Sequence, residues 1–304
     1  MADKLPNIKT VNEYNEMLGI ETLNPLVSVI DLSQAKRMRH MRHTFSFYTV
    51  YLKDEKNCDL IYGRRYYDYQ KGSVICLAPG QVIGTEDTGE DFQPQGWALC
   101  FDPELIRGTS LGKTINDYSF FSYEVNEALH LSEAERNIFI ECLMLIKQEL
   151  SHSIDRMSKK IISNNIELLL NYCLRFYERQ FITRENANHD VLIRLEKLLY
   201  EYFSSGKALT SGIPTVKYCA VELCLSPNYF GDLVKKETGR TAQEYIRSYA
   251  VEVSKEKILD PHKSISQVAF DMGFQYPQHF TRIFKKIVGQ TPVEYRSTHI
   301  STLN

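Results

Sequence analysis

Residues 227–245, PNYFGDLVKKETGRTAQEY, and residues 277–295, PQHFTRIFKKIVGQTPVEY, are two versions of one pattern. They align at a displacement of fifty positions. Identical residues stand at Pro227/Pro277, Phe230/Phe280, Lys235/Lys285, Lys236/Lys286, Gly239/Gly289, Thr241/Thr291, Glu244/Glu294 and Tyr245/Tyr295. Upstream the displacement falls to forty-nine, pairing Ala220 with Ala269, so the second copy has one extra residue in its turn. Each copy has the grammar of a helix-turn-helix. Val216, Cys219, Ala220 and Leu223 in one copy, and Ile265, Val268, Ala269 and Met272 in the other, recur at i, i+3, i+4 and i+7. That spacing makes one apolar face of a helix. A turn follows at Cys224–Ser226 and at Gly273–Tyr276, where Gly273 can take a positive φ cheaply. The second helix is predicted to bury Phe230, Leu233 and Val234 in copy one, and Phe280, Ile283, Phe284 and Ile287 in copy two.

The opposite face of each second helix carries the chemistry. Copy two presents Gln278, Thr281, Arg282 and Lys285 along one stripe, with His279 beside it. Glutamine can bond adenine with two hydrogen bonds, arginine can do so with guanine, and lysine meets phosphate. Copy one presents Asn228, Gly231, Asp232 and Lys235, with Tyr229 beside them. Asp232 could accept from a cytosine amine but repels phosphate, and Gly231 has no side chain to read with. Copy two is therefore expected to carry more of the base discrimination. A polar helix face is usually just solvated, and one such helix pair is often plain core packing. Two copies with matched faces and a rigid spacer are much harder to explain that way. The spacer is announced by Thr241 with Glu244, a capping box that Thr291 with Glu294 repeats, and by Pro292 at a first helical position. A helix over residues 241–259 would be roughly 27 Å long. That rod could hold two reading helices about one DNA turn apart, near 34 Å.

Working outward, helix-turn-helix one is placed at about 215–238 and helix-turn-helix two at about 264–288, within a DNA-binding domain spanning 184–304. The polar stretch Thr183–Asp190 lacks periodicity and reads as a linker. Before it, from about Ser132 to Phe181, the pattern is helical and opens with the capping pair Ser132 and Glu135. Ile162, Ile166, Leu169, Cys173 and Phe176 fall on one face, fit either for a dimer seam or for packing inside the domain. From about Leu26 to Phe101, aromatic and β-branched runs alternate with glycine and proline, which suggests short strands of an antiparallel sandwich or barrel. Residues 1–183 are thus expected to form a separate β-containing domain.

Of the 304 residues, 43% are hydrophobic and 24% charged, which argues against wholesale disorder. No apolar run approaches the roughly 20 residues needed to cross a bilayer. The opening MADKLPNIKT lacks the apolar centre of a secretion signal. The seven cysteines include no C-x-x-C pair, so neither a disulfide framework nor a zinc site is indicated and a reducing cytoplasm is expected. Net charge is −2, yet residues 190–304 hold 15 basic and 12 acidic side chains, a modest local excess of positive charge. No nucleophile elbow, phosphate loop or HExxH is present, which leaves common enzyme classes without a foothold.

At these residues the chain resembles the AraC-type (arabinose-regulator) family of transcription regulators. The segment VAFDMGFQYPQHFTRIFKKIVGQTPVEYR from Val268 is similar to that family's second motif nearly throughout, and LCLSPNYFGDLVKKETGRTAQEYI from Leu223 to its first. The resemblance implies an α+β two-domain protein. Its N-terminal part would be a cupin-like antiparallel β-barrel with following helices. Its C-terminal part would be an all-α domain of two helix-turn-helix subdomains joined by a long helix, reading successive major grooves of double-stranded DNA. Base-contacting roles fall on Asn228, Gly231 and Asp232, then on Gln278, His279, Thr281 and Arg282. RHTFSFYTVYL from Arg42 and KGSVICLAPGQVI from Lys71 resemble the sensor's strands. Enzymatic cupins hold metal through H-x-H…E and a later histidine. Here His40 and His43 are spaced H-x-x-H and the later position, Val82–Ile83, is apolar, so no metal or cofactor is expected. Tyr48, Tyr62, Tyr67 and Trp97 are candidate walls for a small-molecule effector, a sugar or other metabolite, although tyrosine is also simply a good strand former. A homodimer, and contact with RNA polymerase if the protein activates, complete the expectation, with no membrane partner. The rivals are a cupin-class enzyme with a DNA-binding tail and a regulator controlled by a protein partner without a small-molecule ligand.

Overall fold

The computed structural model describes residues 5–53, 72–84, 91–123, 127–183 and 185–300, with 182, 183, 185–189 and 300 described by their backbone alone. The chain divides into two compact units, Met1–Thr183 and Arg184–Asn304.

Unit one opens with β1 (Asn7–Ile8) and α1 (Val11–Leu18), a helix capped by Thr10 and ended by Gly19. Then come β2 (Val27–Asp31), β3 (Met38–Arg39), β4 (His43–Phe45), β5 (Tyr48–Lys53), β6 (Ser73–Leu77), β7 (Val82–Ile83), β8 (Asp91–Phe92) and β9 (Trp97–Phe101). The short helices α2 (Pro103–Ile106) and α3 (Ser110–Thr114), strand β10 (Leu129–His130) and the long helices α4 (Glu133–Leu150) and α5 (Ser158–Thr183) complete it. The strands form three separate sheets, ordered β10-β6-β5-β9-β2, β1-β4-β7 and β3-β8. The expected closed, wholly antiparallel barrel is therefore not what the described residues form. β2 and β10 end the five-stranded sheet without pairing each other, and β1 runs parallel to β4.

Alternation along the strands divides this sheet into two faces. Tyr51, Ile75, Leu77, Ala98 and Cys100 share one core with Phe45, Phe47 and Tyr14 of α1. Within that core the Tyr14 and Tyr51 hydroxyls hydrogen-bond at 2.8 Å. Tyr48 and Phe101 lie on the other face, stacked at 5.0 Å, and Tyr48 meets Phe121 edge-on. Phe120 in turn stacks on Tyr177 of α5.

The stripe Ile162, Ile166, Leu169, Cys173 and Phe176 is at most 4% exposed, because α5 packs it inside unit one against α4 and the neighbouring short elements. It is filled from within and cannot serve as a dimer seam. Ser132 caps α4 through the capping box read from sequence. Its Glu135 also receives two hydrogen bonds from Arg179 of α5, which reaches the His130 carbonyl as well. Burial pushes the Glu135 carboxyl up, but the bonds from Arg179 and Ser132 outweigh it and hold the group below the usual 4.5. A depressed carboxylate stabilises above its unfolded pKa, and that contribution is lost as pH falls through the folded value. Unit one is therefore expected to lose stability as pH drops below about 4.5. Acid titration of Glu135→Gln, followed by thermal melts, should give a flatter dependence; an unchanged slope would show the pair contributes nothing.

Unit two is helical. α6 (Glu185–Ser204) begins inside the stretch read as a linker, so Thr183–Asp190 is helical on both sides of residue 184. Periodicity did not detect this helix in a polar stretch of sequence. α7 (Lys207–Ser211), α8 (Val216–Glu222), α9 (Pro227–Thr238), α10 (Ala242–Leu259), α11 (Ile265–Asp271), α12 (Pro277–Val288) and α13 (Pro292–Ile300) follow. One core joins them, with Leu195, Phe230, Ile246, Ala250, Val268, Phe280 and Phe284 among its buried members. α10 is its axis and touches α8, α9, α11, α12 and α13. Arg296 of α13 donates to the carbonyls of Ile258, in the last turn of α10, and of Lys263 just beyond it, at 2.6 and 2.7 Å. It thereby satisfies acceptors that a helix end leaves open.

Candidate nucleic-acid interface

The two helix pairs are built by the same local contacts. α8 ends with the Leu225 amide donating to the Ala220 carbonyl, and α11 ends with the Phe274 amide donating to the Ala269 carbonyl. Both are closures that require a left-handed residue in between. Copy one places Cys224 there at φ 63°, and copy two places Gly273 at φ 81°. Ala220 and Ala269 are both fully buried, as close helix crossing demands.

α9 and α12 both start with proline, where the missing N–H leaves no partner wanting. Their caps differ. The Ser226 hydroxyl accepts from the Tyr229 amide, whereas Tyr276 makes no side-chain cap bond. Both helices end at a left-handed glycine, Gly239 or Gly289, with two lysines in the last turn, which complement the helix dipole. The Thr241 and Thr291 side chains and amides bond Glu244 and Glu294 and hold both carboxyls below their ordinary range. These reciprocal bonds fix the start of α10 and α13. At Ser264 and Gln267 α11 carries another capping box, which the sequence reading passed over.

On α12, Gln278, Arg282 and Lys285 are exposed, while Thr281 and His279 are half-buried. The Thr281 hydroxyl donates to the Pro277 carbonyl at 3.1 Å, which turns its methyl group away from that bond. The His279 ring meets Phe274 edge-on at 6.2 Å. Beneath them Phe280 and Phe284 are completely buried, Ile283 is half-buried, and Ile287 is 42% exposed rather than in the core as expected. Seven residues on from Phe280, Ile287 lies on the same side of the helix, so its exposure does not come from rotation of the apolar stripe. On α9, Asn228 and Lys235 are exposed and Gly231 and Asp232 half-buried. Tyr229 is only 6% exposed, so its ring packs in the protein and it leaves the set of DNA-facing residues.

In unit one two of the effector candidates, Tyr48 and Trp97, lie within the described residues. Tyr48 is held between Phe101 and Phe121, and Trp97 lies 5.3 Å from the Lys147 ammonium of α4. Both stand on the sheet face opposite the Tyr14–Tyr51 pair. Tyr62 and Tyr67 lie outside the described residues. His43 is 8% exposed, its Nδ1 3.2 Å from the Met41 carbonyl, and His40 stacks on Phe92. Among the described residues no three His, Cys, Asp or Glu side chains stand where they could share a metal ion. No described helix is long and apolar enough to cross a membrane.

A family model described as "Helix-turn-helix domain" matches residues 219–298. The chain is 33% identical over 82 residues to the uncharacterized HTH-type transcriptional regulator YtdP of Bacillus subtilis, covering 27% of this chain and 11% of that protein. It is 33% identical over 84 residues to the uncharacterized HTH-type transcriptional regulator YobQ of the same organism, covering 28% and 35%. The probable transcriptional regulator LumQ of Photobacterium leiognathi is 22% identical over 228 residues, covering 74% and 82%. The chain thus spans well under half the length of the first two relatives. The matched segment holds all of α9, α10, α11 and α12, the last four residues of α8 and most of α13. Residues 219–298 of this chain, within its C-terminal unit, are thus a helix-turn-helix domain similar to those of HTH-type transcriptional regulators.

Proposed function

We propose that the whole chain is a sequence-specific transcription regulator that places α9 and α12 in successive major grooves of double-stranded DNA. The observation that carries this reading is the doubled helix pair on one spacer helix, with Gln278, Arg282 and Lys285 exposed along α12. Arg282 supplies the planar fork that suits guanine, Gln278 suits adenine, and Lys285 lies one turn further for a phosphate. Asp232 on α9 opposes phosphate, so α12 supplies more of the discrimination. Arg282→Ala should weaken binding by about 1–3 kcal/mol at one base position and relax preference there. Selection of genomic fragments by the purified chain at fixed salt, with the variant alongside, is the test. Enrichment of two short boxes about one turn apart supports the reading. Equal loss across all sequences would reduce Arg282 to a phosphate contact.

Unit one, in this proposal, is a sensor of the cupin-like kind that responds to a small molecule by favouring one arrangement of the regulator, which requires different affinity for two states. The chain acts as a homodimer through a surface other than the α5 stripe, contacts RNA polymerase where it activates, and works in the cytoplasm without catalysing a reaction. Sedimentation at micromolar concentration tests the dimer, and thermal shifts of unit one against a metabolite panel test the sensor.

A further inference from the structure

Of the described glycines, all but Gly112 and Gly231 have positive φ, where a side chain would be strained. A Cβ at Gly112 would collide with the Ile106 carbonyl oxygen, so that position has no room for one. Gly231 alone has neither reason. It sits inside α9 with ordinary helical φ, and a Cβ built on it meets nothing within 4 Å. Glycine in a helix interior weakens the helix relative to alanine, because more backbone freedom is lost on folding. Among the described residues no packing contact at this position offsets that loss. The equivalent position of the other copy is Thr281, which carries a side chain without difficulty. Gly231 also lies on the stripe between exposed Asn228, three residues before it, and exposed Lys235, four after it.

We propose that Gly231 is a contact position, where the DNA comes against the main chain of α9 and a side chain would hold it off. This rests on the DNA-reading proposal and deepens it: the missing side chain is the recognition feature of copy one. The interior amides of α9 are engaged in helix bonds, so the contact at Gly231 is one of shape, with a base edge or sugar filling the notch. Asn228 and Lys235 flank the notch, and the closer approach brings both within reach of a base edge and a phosphate. α9 therefore docks nearer to the duplex than α12, by about the depth of one side chain. Specificity at its half-site comes from fit, which offsets the poor set of reading side chains.

The test compares the full-length parent with Gly231→Ala, Gly231→Thr and, as a control in the other copy, Arg282→Ala. Thermal unfolding and binding to the fragments the parent selects are measured on each. Gly231→Ala should melt a few degrees higher and bind roughly tenfold more weakly. Gly231→Thr should bind more weakly still, and the loss should map to the box read by α9. A Gly231→Ala chain that is stabilised and binds as the parent does, while Arg282→Ala loses selectivity, overturns the contact role and leaves the DNA-reading proposal standing. A parent that selects no sequence overturns both.

Discussion

Phe280→Ala is expected to destabilise unit two by about 3–5 kcal/mol, the range for emptying a fully buried phenylalanine site. Phe280 has no exposed surface, and its ring packs on Phe274 at 5.1 Å and on Phe284 at 5.7 Å. Those rings belong to the turn before α12 and to the next turn of the same helix. Ile287→Ala on the same helix is the internal comparison. At 42% exposure it should change stability by less than about 1 kcal/mol. Denaturant unfolding followed by far-UV circular dichroism reads both. The sole tryptophan, Trp97, is in unit one, so its fluorescence should keep the parental midpoint while the helical signal loses part of its amplitude earlier. Equal effects of the two substitutions would mean that α12 is seated differently.

Gly273→Ala should be comparably damaging, on the order of 3 kcal/mol, with the same readout. The left-handed conformation is the smaller part of this. Cys224 holds the equivalent place in copy one at φ 63° and carries a side chain. The larger part is contact. A Cβ at Gly273 would lie 2.5 Å from the Gly212 carbonyl carbon and 2.6 Å from the Ile213 amide nitrogen, both main-chain atoms. Either the α11–α12 turn or the segment after α7 must move. Displacing that turn tilts α12, so binding at the box read by α12 should fall along with stability. A chain that melts as the parent does would show that the segment after α7 yields without resistance.

These two residues mark how far sequence reasoning reaches. Phe280 was legible as core because a 3.6-residue period with an aromatic at its centre admits one reading. Gly273 was legible as a turn residue, but its approach to Gly212 was not, since α8, α9, α10 and α11 all lie between the two in the chain. The repeat, its capping boxes, the proline starts and the polar stripe Gln278–Arg282–Lys285 are local patterns. Local patterns specify helices, their ends and their faces almost unaided, because each contact they need lies within four residues.

What those patterns left open depended on partners distant in the chain. The α5 stripe was equally fit for a second copy or for an internal neighbour, and only the packing of α4 on α5 chose the second. Tyr229 was next to the reading face by count, and burial removed it. Tyr48 and Trp97 were placed on the helix-covered face by strand pairing, which shifts every side chain across the sheet if the register moves by one. The sheet stayed open for the same reason: alternation along each strand says which residues share a face, but not whether the first and last strands meet. By itself the sequence determined two helix pairs, their spacer and the polar stripes they carry. The tertiary structure decided which apolar stripes were already satisfied, where the sheet ends, and that Gly231 has open space above it, because these are properties of surfaces brought together from far apart.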